Sequence, residues 1–218
     1  YSFYLHSDDR TDIAAMATIS TISQPLRGEF IRTAATAGAV VYQVDARLPA
    51  LIPVFFAGQL SAVRLCAVMA LVSGTWSSLT GLPDEPENGE AALPVSPETE
   101  YQRRRYTLTL QNGRSGERVE SVLTEASSRL RGDLLRNLII TGLALHTTAP
   151  ELPRLLASMP VPPTSVSELQ ALVQQMAGTA DVNRAAAAVP DTPAASAAPV
   201  SGSDTREIKK NMRRAFGD

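Results

Sequence analysis

One cysteine, two histidines and two lysines are all that 218 residues hold of those three types. A lone Cys66 rules out an internal disulfide and favours a reducing compartment, the cytoplasm, over secretion. With one cysteine and histidines only at 6 and 146, there is no zinc-ligand spacing, so no metal is assigned. His6 and His146 read as solvated side chains, and Cys66 in "VRLCAVM" as a core thiol. Aromatic residues make up 5% of the chain, too few for the base-stacking platforms of RNA-recognition or OB modules. There is no glycine-rich phosphate loop and no Gly-x-Ser-x-Gly. No catalytic residue, cofactor or small-molecule substrate is therefore assigned, and the chain is expected not to be an enzyme. No signal-peptide pattern is visible. The longest apolar run, residues 52 to 74, has Arg64 near its middle, which would cost about 2.5 to 3.5 kcal/mol at a bilayer centre. That run reads as a buried core helix, and no membrane partner is expected.

What is present is a globular composition, 44% hydrophobic, with room for one main domain and tails. The net charge of −2 conceals an uneven distribution. Residues 76 to 100 carry six acids and no base, whereas Arg103 to Arg136 holds eight arginines against Glu117, Glu120, Glu125 and Asp133. Eighteen of the 20 basic residues are arginine, whose planar fork suits phosphate and carboxylate, although a GC-rich genome also supplies Arg and Ala codons.

The pattern predicts a mainly α, helical bundle-like domain with at most one short strand or hairpin and extended N- and C-terminal arms. Residues 1–6, "YSFYLH", read as an extended arm. Residues 7–178 form the helical core: Ser7 or Asp8 caps a first helix, "EFIRTAATAGAVVYQV" makes a second, and 54–75 makes the most deeply buried one. An acidic, proline-rich loop spans 76–100. "RRYTLTLQNG" gives one short strand ending at Asn112-Gly113. The spacing of Val119, Leu123, Ala126, Leu130, Leu134 and Leu138 predicts one long amphipathic helix over 117–146, weakened at Gly132 and Gly142. "ELPRLLASM" is a further helix, and Ser165-x-x-Glu168 opens the last one, with Gly178 as its stop. An Ala/Pro/Ser-rich linker follows at 179–203, and a basic helix at 204–218.

Two groups of residues carry the functional reading. On the expected long helix Arg118, Arg129 and Arg136 recur at spacings that return to nearly one bearing, a stripe able to neutralise successive phosphates with Arg103, Arg104, Arg105 and Arg114. Equally, Glu125 stands one turn before Arg129 and can pair with it. The second group is the tail, where Ile208, Met212 and Phe216 fall at helical spacing among Lys209, Lys210, Arg213 and Arg214, an arm suited to a neighbouring subunit or other partner.

Proline, alanine and serine supply 65 of 218 residues, concentrated in "AAAAVPDTPAASAAPVSG". This resembles the proline-alanine-serine-rich proteins of polymycoviruses, fungal viruses with segmented double-stranded RNA genomes. The resemblance implies a self-assembling coat or nucleocapsid-type protein, in the virion or host cytoplasm, that binds RNA without sequence preference and contacts copies of itself. The expectation from another class is a non-viral helical adaptor whose C-terminal arm docks on a protein partner.

Overall fold

The computed structural model describes residues 1–75 and 103–187, with side chains through residue 178. The protein is mainly helical, with eight α-helices and one two-stranded antiparallel sheet among the described residues.

Strand β1 (Ser2–His6) leads into helix α1 (Arg10–Ser20). The cap is Asp9, one residue past the expected Asp8, and its Oδ1 accepts from the Asp12 amide at 3.0 Å. A short 3-10 turn, Gln24–Leu26, holds Pro25 and delivers the chain to α2 (Arg27–Val44).

α2 and α6 (Arg131–Thr148) form the centre of the fold. Residues 34–41 and 138–145 are buried without interruption, two full turns in each helix. Small residues make this possible. A Cβ on Gly38 would overlap the backbone of Leu138, and one on Gly142 would overlap that of Ala34. The crossing is therefore antiparallel and backbone to backbone, and Phe30 meets His146 edge-on at 5.0 Å one turn further along.

Residues 54–75, expected as a single buried helix, are divided. α3 (Leu48–Phe55) ends two residues after Pro53, which has no N–H to continue the ladder, and Gly58 takes a φ of +96° in the connection. α4 (Ala62–Ser73) starts at Ser61, whose hydroxyl accepts from the Arg64 amide, and ends at the left-handed Gly74. Arg47, ahead of α3, donates to the Val72 carbonyl at 2.8 Å and ties the far end of α4 back to the start of α3.

The expected long helix over 117–146 is likewise two helices, α5 (Arg114–Glu125) and α6. Between them the Leu130 amide donates to Ser127 O, Arg131 Nε donates to Ala126 O, and Leu130 is left 58% exposed. The apolar spacing runs on through this turn, so the sequence pattern carries no sign of the break. α7 (Leu152–Ser158) and α8 (Val166–Ala187) complete the described chain. Ser165 Oγ accepts from the Glu168 amide, and Glu168 accepts from the Thr164 amide, so the expected capping pair forms. α8 continues past Gly178, because an exposed glycine lowers helix propensity without stopping a helix.

The chain divides into two units, Tyr1–Asn183 and Arg184–Asp218. The acidic loop, most of the linker and the basic tail lie outside the described residues.

Candidate functional site

β2 (Arg103–Thr107) pairs antiparallel with β1, matching Ser2 to Thr107, Phe3 to Tyr106, Tyr4 to Arg105, Leu5 to Arg104 and His6 to Arg103. Residues 1–6 are thus extended, as expected of an arm, but seated beside a strand about a hundred residues away. Phe3 and Leu5 are fully buried, and Phe3 stacks on Tyr106 at 5.2 Å. Burial pushes the Tyr106 hydroxyl above its ordinary pKa, with the charges of Arg104 and Arg27 opposing that shift.

The opposite face of this ribbon carries Ser2, Tyr4, His6, Arg103, Arg105 and Thr107. The Arg103 guanidinium lies 3.5 Å above the Tyr4 ring, and Arg105 Nη2 donates to Ser2 Oγ at 3.0 Å. Arg104 stands on the core-side register, 5.4 Å from the Tyr106 ring. All three arginines are exposed. Leu108 donates to Tyr1 O at 2.9 Å, and strand alternation then turns the backbone N–H groups of Arg103, Arg105 and Thr107 away from β1. The Arg103 and Arg105 side chains lean across this face toward β1, onto Tyr4 and Ser2, whereas the outward amides of β2 face the other way.

Beside the ribbon, β1, α1 and the first half of α6 enclose an open cleft of about 680 Å³, lined among others by Tyr4, His6, Asp9, Asp12, Arg103 and Arg136. Its floor is an ion pair. Asp12, 1% exposed, accepts from Arg136 Nε at 2.6 Å and from the His6 amide at 2.9 Å, while Arg136 Nη2 also reaches Asp9 at 3.2 Å. Burial raises the Asp12 pKa, and the His6 amide and Arg136 partly offset that rise. Asp12 thus closes the free edge of β1 and fastens it to α6.

The remaining predicted arginines do not form the expected stripe. Arg114 and Arg118 lie on α5, Arg129 in the turn, and Arg136 on α6, engaged with Asp12 and Asp9. Arg103, Arg104 and Arg105 are the set the structure brings together. The tail residues Ile208, Lys209, Lys210, Met212, Arg213, Arg214 and Phe216 lie outside the described residues. Cys66 is buried, which pushes its thiol pKa up, and His146 Nδ1 lies 3.1 Å from Pro150 O. No group of three metal-ligating side chains occurs among the described residues.

Sequence reasoning missed Tyr4 as a seat for Arg103, and Asp12 as the buried partner of Arg136. No local signal marks the second, since Arg136 is 124 residues away. The period-two pattern of Phe3 and Leu5 would have marked residues 1–6 as a half-buried strand.

A family model described as "Plasmid stability protein" matches residues 1–69 and 104–173, well over half of the chain. No curated protein and no solved structure matches it. The family match overturns the resemblance to polymycovirus proteins, and with it the coat or nucleocapsid function, the virion and the RNA filament. That resemblance rested on the composition of residues 185–202, which lie entirely outside the matched segments.

Proposed function

This chain belongs to the plasmid stability protein family, and on that footing we propose that it serves plasmid maintenance by holding DNA rather than by catalysing a reaction. The observation that carries the reading is the run Arg103, Arg104 and Arg105 on β2, all exposed, with Arg103 and Arg105 on one face of the ribbon and Arg104 on the other. Guanidinium groups and backbone N–H groups are the usual donors to phosphate oxygens. Tyr4 holds Arg103 in place, so less side-chain freedom is lost on contact.

The cleft next to the ribbon has Tyr4 and Arg103 in one wall, but it is not itself the phosphate seat. Asp8, Asp9, Asp12 and Asp133 line it together with Arg103, Arg129 and Arg136, so its acids outnumber its bases. Contact therefore falls on the ribbon, and it is independent of base sequence, because phosphate contacts fix register without reading bases.

The test is fluorescence anisotropy with labelled duplex DNA across a salt series. Wild type should bind, with an affinity that falls steeply as salt rises. The variant R103Q/R104Q/R105Q, folded by circular dichroism, should bind at least tenfold more weakly. Equal binding by the two proteins, or binding indifferent to salt, would overturn the reading.

A further inference from the structure

Among the described residues β2 is paired along one edge only, by β1. Tyr1 and Leu108 exchange both main-chain bonds, Leu108 N–H to Tyr1 O at 2.9 Å and Tyr1 N–H to Leu108 O at 3.0 Å. Every second residue back along β2 therefore bonds β1, while at Arg103, Arg105 and Thr107 the N–H and the C=O both point away from it. β1 has the matching outward set, Ser2, Tyr4 and His6, and there the Asp12 carboxylate takes up the His6 N–H. Nothing among the described residues does the same for β2, whose Arg103, Arg105 and Thr107 are exposed. An unpaired strand edge is a template for another strand.

We infer that the free edge of β2 docks an acidic, extended segment of a partner protein, added as a third strand. Hydrogen-bond chemistry selects a strand. Each outward residue offers a donor and an acceptor, and phosphate oxygens only accept, so a nucleic-acid backbone leaves the carbonyls unmatched where another strand satisfies both. Charge selects which strand. Residues of the added strand stand opposite Arg103, Arg104 and Arg105, and like charges set opposite one another across a ladder are destabilising. A second copy that laid its own β2 here would set arginine against arginine, so the residues that keep copies apart favour a segment with consecutive acids.

The seat is already formed. Arg103 lies over Tyr4 and Arg105 donates to Ser2, both toward β1, which leaves the main-chain edge clear for approach. Asp12 holds β1 from behind, so little ordering is lost when the third strand arrives. Strand docking needs no DNA binding, but the two share their arginines, so an acidic strand and DNA compete where both are present.

The experiment is fluorescence anisotropy of the full chain with the labelled peptide TVEEEVT, in the absence of DNA. The peptide should bind at least tenfold more tightly than TVKKKVT. N-methylation of its three glutamates removes main-chain donors and keeps the charge, and should weaken binding at least tenfold. Thr107→Pro deletes one outward N–H and no charge, at an edge position of the kind proline tolerates, and should weaken binding at least threefold. The methylated peptide keeps the test open if that variant does not fold. Equal binding of the methylated and unmethylated peptides would mean charge alone and would refute strand docking, as would no binding of TVEEEVT at about 1 mM. DNA affinity of the same protein separates the two readings. A protein that binds peptide and not DNA loses the proposed function alone, and one that binds DNA and not peptide loses strand docking alone.

Discussion

Gly38 in α2 lies directly against the backbone of Leu138 in α6, and four residues further along α6 the relation is reciprocated, with Gly142 against Ala34. The two most buried helices approach as closely as main chains allow, and the space for any side chain at either glycine is already taken by backbone.

Gly38→Ala and Gly142→Ala are each expected to destabilise the protein by about 1 to 3 kcal/mol, the cost of forcing an extra methyl into a filled core. Gly28→Ala is the control. It sits at the exposed start of α2 with nothing nearer its Cβ than Arg32 Nη1 at 3.9 Å, and should stabilise by about 0.5 to 1 kcal/mol. Urea melts of the three variants decide the matter, and a Gly38→Ala protein as stable as wild type would contradict the close crossing.

Asp12 makes a prediction about acid. Its carboxyl is held above the ordinary 3.8 by burial, so the folded state binds that proton more tightly than the unfolded chain does. Its contribution to stability is therefore greatest below the unfolded value and falls as pH rises through the folded one. A carbon-detected titration should place the Asp12 midpoint above 3.8 in wild type, and higher still in Arg136→Gln, where a stabilising cation is gone. Asp12→Ala, which removes the acceptor of the His6 amide and leaves Arg136 with Asp9 and Asn137, should cost about 2 kcal/mol, and Asp12→Asn less.

Thr141 is fully buried in α6, and its hydroxyl has no hydrogen-bond partner. Removing an unpaired buried hydroxyl while keeping the β-branched shape should help. Thr141→Val is expected to raise stability by about 1 kcal/mol, read as a higher melting temperature. A lower one would mean that the hydroxyl has a partner.

On the ribbon, charge and seating separate experimentally. Each single Arg→Gln change at 103, 104 or 105 should lower the slope of log affinity against log salt by about 1 for every phosphate that is no longer neutralised. Tyr4→Ala removes the ring beneath Arg103 but no charge. It should weaken DNA binding by about 0.5 to 1 kcal/mol and leave the slope as it was. A Tyr4 variant with an altered slope would mean that the ring does more than seat one arginine.

Local chemistry was legible where local rules govern. The alanine-rich segment "EFIRTAATAGAVVYQV" read as a helix and lies in α2, and Ser165-x-x-Glu168 marked the start of α8. The division of α5 from α6 was not legible, because Leu130 keeps the helical spacing while standing outside the core at the turn. Nor was the seam in the apolar run, where the spacing of Pro53 and Gly58 makes a hairpin of what reads as one core helix. At the site, Arg103, Arg104 and Arg105 were visible as a run, but what gives them a platform is not. Tyr4 and Asp12 act through pairings across about a hundred residues, and sequence patterns are silent at that range.

That same distance bears on how the protein comes into being. β1 is made long before β2, and the bond from Tyr1 to Leu108 spans 107 positions. At synthesis rates of about 5 to 20 residues per second, the first strand waits at least about five seconds for its partner. Throughout that interval Phe3 and Leu5 have no β2 to lie beside. Closing so large a loop is costly until α2 and α6 have brought its ends together, so the ribbon is a late event in folding. The arginine edge is then an assembled surface only in a chain whose helical centre is already in place, and a nascent or misfolded copy presents no grip.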